Sequence, residues 1–297
     1  MKYHLPVLLA ESVDALNIKP DGVYVDVTFG GGGHSKEILK RLGKEGKLFA
    51  FDQDPDAASN IIDDERFVLI PQNFRFMKNW LGVNGVKSVD GVLADLGVSS
   101  HQFDSEQRGF SIRFDAPLDM RMDKKRTLTA EQIVNEYAWE ELAQMLRQYG
   151  EVEKAGGVAT AIIANRPLHT TAELIYALDR VTPRGKEHKF HAQVFQALRI
   201  EVNEELQALK EMLIQSQELL SEQGRLVVIS YHSLEDRLVK DFMKTGNFEG
   251  EPQKDFFGNL IRPLKPLTTK PVLPTEEEIA TNTRARSAKM RVAEKLK

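Results

Sequence analysis

The sequence predicts an α/β protein, a Rossmann-like doubly wound sheet carrying a helical insertion domain. Three observations predict it. Short apolar runs alternate with helix-like segments over residues 1–100, and the strand signal then vanishes while helix starts recur. A buried-strand run finally returns at Leu226–Ser230.

The elements follow in chain order. Val23–Thr28 is β-branched and aromatic and runs into four glycines, Gly30–Gly33. Helix-like Ser35–Leu42 comes next, with Ser35 as its N-cap. Lys47–Asp52, Phe67–Ile70 and Val89–Asp95 read as the second, third and fourth strands. Strands separated by short helices imply parallel βαβ units. The segment Gly97–Asp123 is loop-like, rich in Arg, Asp, Gly and Pro. Capping boxes then mark helix starts at Thr129–Gln132 and Thr170–Glu173, and Ser233 with Asp236 reads as a third. A long helical stretch covers His191–Leu220, broken near Asn203. The tail Pro252–Pro274 is proline-rich and irregular, and Ala288–Glu294 reads as a closing strand. The organisation expected is a core over residues 1–104, an insertion over 105–189, and a second core segment over 190–297 with a basic end.

At 297 residues the chain can bury a substantial core without staples, and it has no cysteine to make them. That absence removes disulfides, thiolate metal sites and thiol nucleophiles together. No run approaches the ~20 apolar residues needed to cross a bilayer, and Leu5–Ala10 meets Glu11 too soon for a signal-peptide core. A cytoplasmic protein without membrane contact is expected. The net charge of −4 argues against a chain that coats nucleic acid indiscriminately. Basic residues are instead local: Arg184, Lys186 and Lys189 in one loop, and six between Arg284 and Lys297 against the single acid Glu294. By themselves such runs read as solvated surface.

Chemistry concentrates at strand ends. Glycines where the first strand meets a helix let backbone approach a ligand closely and leave N–H groups free to donate. Asp52, ending the second strand, suits the ribose hydroxyls of an adenosine-containing ligand. The dinucleotide fingerprint needs a third small residue, and neither Ser35 nor Lys36 fits well. Asp26-x-Thr28-x-Gly30-x-Gly32 instead looks like the first motif of Rossmann-like methyltransferases, which favours S-adenosylmethionine over NAD. His34 either touches that cofactor or begins a helix. Phe74 is either core or a ring beside adenine.

Asp95 ends the fourth strand, and Tyr231 and His232 follow the next core strand. If those strands are neighbours, all three open onto one mouth. Asp95 and the carbonyl of Leu96 suit acceptance from an exocyclic amine, and Tyr231 and His232 suit stacking on a flipped base. Carbon-5 methylation of cytosine normally uses a cysteine, which points to nitrogen or oxygen as the target. No cluster has metal-ligand spacing.

These residues resemble a known family, the bacterial 16S ribosomal RNA cytosine-N4 methyltransferases, over nearly the whole chain. The resemblance rests on His4-Leu-Pro-Val-Leu-Leu, on Thr28-Phe-Gly-Gly-Gly-Gly-His34-Ser35, and on the long stretch from Asp95 through Gln102 and Asp104 to Arg108, Arg113, Asp119 and Arg121. It also rests on Phe195-Gln-Ala-Leu-Arg199-Ile-Glu-Val-Asn203, Ser230-Tyr-His-Ser-Leu-Glu-Asp-Arg237 and Asn282-Thr-Arg-Ala-Arg-Ser287. The segment after Phe242 looks shorter than in some relatives. The resemblance implies a class I methyltransferase fold. It implies cofactor contacts at Gly32, Gly33, His34, Asp52, Phe74, Asp95 and Gln102, and a substrate cytidine in the decoding region of 16S rRNA in the small ribosomal subunit. It makes the insertion a substrate-binding domain and turns Arg108, Arg113 and Arg199 into RNA contacts rather than salt-bridge partners. The oligomeric state stays open, a homodimer being allowed.

Overall fold

The computed structural model describes residues 6–99, 103, 107–258 and 260–297. Seven strands form one sheet: β1 (Val23–Asp26), β2 (Lys47–Phe51), β3 (Phe67–Ile70), β4 (Val89–Asp95), β5 (Leu220–Ser230), β6 (Leu264–Pro266) and β7 (Lys289–Lys295). Their order is β3-β2-β1-β4-β5-β7-β6, with β1 to β5 parallel and β7 antiparallel to both neighbours. The chain order reverses beside β1, where β2 lies on one side and β4 on the other. A doubly wound sheet collects ligands outside such a switch point, at the carboxyl ends of its strands.

Side-chain alternation explains why both faces are covered. Val25, Phe49, Phe51, Val92, Ala94 and Val228 enter one apolar cluster, while Tyr24, Leu48, Ala50, Leu93, Val227 and Ile229 enter another. The first face is covered by α3 (Met77–Val83), α9 (Glu205–Leu219) and α10 (Ser233–Thr245), through Leu81, Met212 and Phe242. The second is covered by α1 (Leu9–Ala15) and α2 (Gly33–Arg41), through Val13, Ile38 and Leu39. Each such residue, fully buried, stabilises the fold by roughly 1.5–3 kcal/mol. Among the described residues of this unit the remaining α-helix is α11 (Glu276–Thr281).

The chain divides into two compact units, one running up to Gly97 and resuming at Leu206–Lys297, the other Val98–Glu205. The second contains α4 (Ala130–Glu136), α5 (Trp139–Gly150), α6 (Ala155–Ala164), α7 (Thr171–Leu178) and α8 (Glu187–Asn203) around its own apolar core. It is larger than the expected insertion of 105–189, because Phe190, Val194, Phe195, Leu198 and Val202 of α8 pack into that core. No helix among the described residues is long and apolar enough to cross a membrane.

Several local readings change. β5 begins at Leu220 rather than Leu226, with its pairing to β4 shifting register between Leu220 and Arg225. A strand interrupted that way shows no continuous apolar run. The N-cap of α2 is Gly32 rather than Ser35, which sits in the first turn. The capping boxes at Thr129 and Thr170 form as expected, but the one opening α10 pairs His232 with Glu235 instead of Ser233 with Asp236. The break near Asn203 falls at Glu204, whose φ is 51°.

Candidate active site

The mouth is built by the carboxyl ends of β1, β2, β4 and β5. After β1 the chain turns on Asp26, whose buried carboxylate accepts from Thr28 N–H (3.1 Å) and Ser35 Oγ–H (2.7 Å). One acid thus ties the glycine loop to the first turn of α2. Gly32 is left-handed at φ 74°, and a Cβ at Gly33 would stand 2.1 Å from Pro6 Cγ. Gly32 is needed for its conformation and Gly33 for the close approach of the N-terminal segment.

Asp52, immediately after β2, reaches back to this loop. Its Oδ2 accepts from Gly30 N–H and its Oδ1 from Asp54 N–H, both at 2.8 Å. Burial nevertheless dominates and pushes its pKa up to about 6. A carboxylate offers roughly four lone-pair sites, so two backbone donors leave capacity for ribose hydroxyls. At the end of β3, Asn73 caps a short 3₁₀ turn at Phe74–Phe76 and donates to Gln53 Oε1 (2.7 Å). Phe74 is half-buried there, packed against the sheet core. The core and cofactor readings of Phe74 are therefore compatible.

Asp95 is held from three directions. Its backbone N–H donates to Thr28 Oγ (2.7 Å), Leu96 N–H donates to Ile229 O (2.9 Å), and Tyr231 O–H donates to its Oδ1 at 2.7 Å. The other oxygen, Oδ2, stands 3.9 Å from His34 Nδ1. Burial raises the Asp95 carboxyl to about 6 despite the nearby imidazole and the Tyr231 hydrogen bond, and its side chain keeps 21% of its surface accessible. The same burial, with the Asp95 carboxylate alongside, raises Tyr231 well above its ordinary value. His34 is buried in the first turn of α2 with Nε2 3.2 Å from Val7 O, so it both begins the helix and faces Asp95.

The expected conjunction of Asp95 with Tyr231 is present, and Tyr231 is an orienting partner of the acid. His232 is different. Its Nδ1 accepts from Glu235 N–H (3.4 Å) and its Nε2 lies 3.2 Å from Glu235 Oε1, with 9% of the side chain exposed. The ring is engaged in starting α10 rather than presented for stacking. Gln102 lies outside the described residues.

Several supporting groups are not legible as site residues in the sequence. Thr28 of the glycine-loop motif proves to hold the Asp95 backbone. Asn60 donates to Gly30 O (3.0 Å), and Glu278 accepts from Leu8 N–H (2.8 Å). Sequence separations of 30 and 270 leave no local signal for these contacts. Glu235, three residues beyond His232, and Glu278, three beyond Thr275, do stand at a readable capping spacing.

A profile of the MraW methylase family matches residues 1–296. The chain belongs to that family. It is an S-adenosylmethionine-dependent methyltransferase, and its sheet is the doubly wound one expected. Ribosomal RNA small subunit methyltransferase H of Flavobacterium johnsoniae is 58% identical over 299 residues, covering 100% of this chain and 99% of that one. Its counterpart in Flavobacterium psychrophilum is 61% identical over 291 residues, covering 97% and 100%. Among solved structures, an rRNA methylase from Streptococcus thermophilus has a TM-score of 0.44 at 12% identity, covering 100% of this chain and 99% of that one.

In the methyltransferase's helical unit the three expected RNA arginines differ. Arg108 is buried and donates from Nη2 to Arg121 O (2.7 Å) and Met122 O (3.0 Å). Arg199 makes a two-pronged ion pair with Glu205, both contacts at 2.8 Å. Both guanidiniums find acceptors within the unit, as a charge withdrawn from water requires, and Arg199 is a salt-bridge partner where none was expected. Arg113 is exposed, its guanidinium 6.0 Å from the Phe103 ring centre.

Proposed function

We propose that this methyltransferase modifies small-subunit ribosomal RNA in the bacterial cytoplasm, at the N4 amine of a cytidine in the decoding region of 16S rRNA. The observation that carries the reading is Asp95, fixed by Thr28 and Tyr231 at the carboxyl end of β4 with part of its surface open. The names of the full-length relatives support the substrate, and the motifs around Asp95 and Tyr231 support the amine.

The donor set fits the cofactor. Gly32 and Gly33 form a loop into which side chains do not fit, Asp52 offers carboxylate lone pairs for the ribose, and Phe74 supplies a ring beside the base. S-adenosylmethionine supplies a methyl group on a sulfonium, an excellent leaving group that needs no acid. The protein's work is then to align and activate a poor nucleophile whose lone pair is delocalised into the cytosine ring. Asp95 Oδ2 and the Leu96 carbonyl accept the amine N–H groups and favour the pyramidal nitrogen of the transition state. Tyr231 occupies Oδ1 and so directs Oδ2 to the substrate. Nitrogen gains the methyl group and loses one proton, for which Asp95, with a pKa near 6, is a stronger base than an ordinary carboxylate. A covalent route through cysteine is closed, since the chain has none. Arg113 and the helical unit around it serve to bind RNA.

The test is methyl transfer from labelled S-adenosylmethionine to small subunits lacking their own modification, with the product mapped by mass. Label on a cytosine N4 of 16S rRNA is expected. Cofactor binding without label on the subunit would overturn the substrate.

A further inference from the structure

Between α10 and β6 the chain makes a short hairpin. Lys254 and Leu260 form an antiparallel bridge, and Ile261 N–H donates to Gln253 O at 2.8 Å. At its tip Phe256 is 98% exposed and Phe257 85%, the rings edge to face with centroids 5.6 Å apart. Leu260 and Ile261 are exposed beside them. The turn is made by polar and backbone features. Asp255 accepts from Phe257 N–H at 2.9 Å, and Gly258 takes a left-handed φ of 87°. Burial of the phenyl rings contributes nothing to it. Adjacent, fully exposed aromatic rings are not ordinary surface, because isolated apolar residues are common but contiguous ones mark contact sites.

The charge of the segment favours one kind of partner. Over residues 244–270 Lys244, Lys254, Arg262, Lys265 and Lys270 outnumber Glu249, Glu251 and Asp255, a local positive excess in a chain whose net charge is −4. An open cleft beside the hairpin is lined by Lys244, Gln253 and Arg262 together with Leu260 and Ile261. Exposed rings for bases, with cations alongside for phosphates, are the combination that single-stranded nucleic acid requires. A purely apolar protein partner would have no use for those cations.

We propose that the Phe256–Phe257 hairpin is a second RNA contact, stacking on unpaired bases of the substrate while Lys254 and Arg262 meet the backbone phosphates. The inference rests on the ribosomal RNA reading above. The hairpin leads into β6 at the end of the sheet where the parallel strands begin, opposite the mouth. It therefore contributes equally to the ground and transition states and acts on KM rather than kcat.

The double variant F256A/F257A tests this against the wild type on unmodified small subunits and on a short oligonucleotide carrying the target cytidine. Expected is a rise in KM for subunits of roughly tenfold or more, with kcat, cofactor affinity and oligonucleotide turnover unchanged. F256L/F257L, which keeps apolar bulk and loses the π faces, should fail as the alanine pair does. An unchanged KM would overturn the proposal. So would recovery by the leucine pair, which would indicate an apolar protein partner, or conversion of a wild-type dimer to monomer, which would make the hairpin a self-contact. Should the wild type not methylate subunits, the substrate reading fails separately. Fluorescence anisotropy with labelled single-stranded RNA then decides the hairpin, weaker binding by the alanine pair supporting it and equal binding overturning it.

Discussion

In the sheet unit, the buried side chains of Asp26, Ser35 and His34 gather beside Asp95 at the carboxyl ends of strands, with Ser35 on Asp26 and His34 facing Asp95. Ser216 and Thr245, away from the mouth, are turned on backbone carbonyls. In the helical unit the buried polar groups are turned on backbone. Arg108 donates to two carbonyls, Asn203 accepts from Met122 N–H and donates to Met120 O, and Thr171 accepts from Ala116 N–H and donates to Phe114 O. Each unit has an ample apolar core, so burial alone does not separate them. What a buried polar side chain faces does. Side chains facing one another around an opening can exchange protons and accept a ligand, whereas those facing carbonyls hold a long loop in shape.

Asp95→Ala has the largest expected effect, a fall in kcat of about 10²–10³-fold, read by labelled methyl transfer with the thermal melt intact. Turnover at the wild-type rate would remove Asp95 from the chemistry. Asp52→Ala acts on binding. Losing charge-assisted hydrogen bonds of roughly 1.5–3 kcal/mol should weaken cofactor affinity about 10- to 100-fold by calorimetric titration, and an unchanged affinity would sink the ribose assignment.

The acids of the mouth also give a pH signature. Asp52 and Asp95 are held near 6 against an ordinary 3.8, so the folded protein binds protons that the unfolded chain has already released between those values. Their contribution to stability is full below pH 3.8 and is lost as pH rises towards 6. Cofactor affinity should run the other way, since in the proposed site it is ionised Asp52 that holds the ribose. Below pH 6 it should weaken by up to about tenfold per unit, and Asp52→Asn should flatten the profile. A flat profile in the wild type would contradict the buried-acid account.

The smallest effect on chemistry belongs to the helical unit. Arg108→Ala should lower stability by about 2–3 kcal/mol in urea unfolding while leaving cofactor affinity unchanged. Normal stability with weakened RNA binding would restore Arg108 to the interface and erase the contrast between the units.

The two regions also differed in how much of them could be read in sequence. Strand ends, the glycine loop, Asp52, Asp95 and the capping boxes at Thr129 and Thr170 are local patterns, and their periodicity or spacing is visible in a single chain. The Asp95–Tyr231 hydrogen bond joins residues 136 positions apart, and only the adjacency of β4 and β5 creates it. The allegiance of α8 was hidden because an apolar stripe does not say which core it enters. Arg108 and Arg199 look like RNA contacts in sequence because arginine serves phosphate and carbonyl or carboxylate acceptors alike. Arg108 meets its acceptors only once the chain carrying Arg121 and Met122 is folded, and Arg199 meets Glu205 only across the turn between α8 and α9. The cap at His232 was missed because serine is the commoner cap and stands one residue later.

In the proposed reaction the Asp95 mouth of the sheet unit receives both the cofactor and the amine. A crystal structure of the protein with S-adenosylhomocysteine and cytidine tests it most directly. Expected are ribose hydroxyls on Asp52 and the cytidine N4 amine within hydrogen-bonding distance of Asp95 Oδ2 and the Leu96 carbonyl, with Tyr231 still on Oδ1. A cytidine bound with its amine turned away from Asp95, or a ribose held elsewhere, would contradict it.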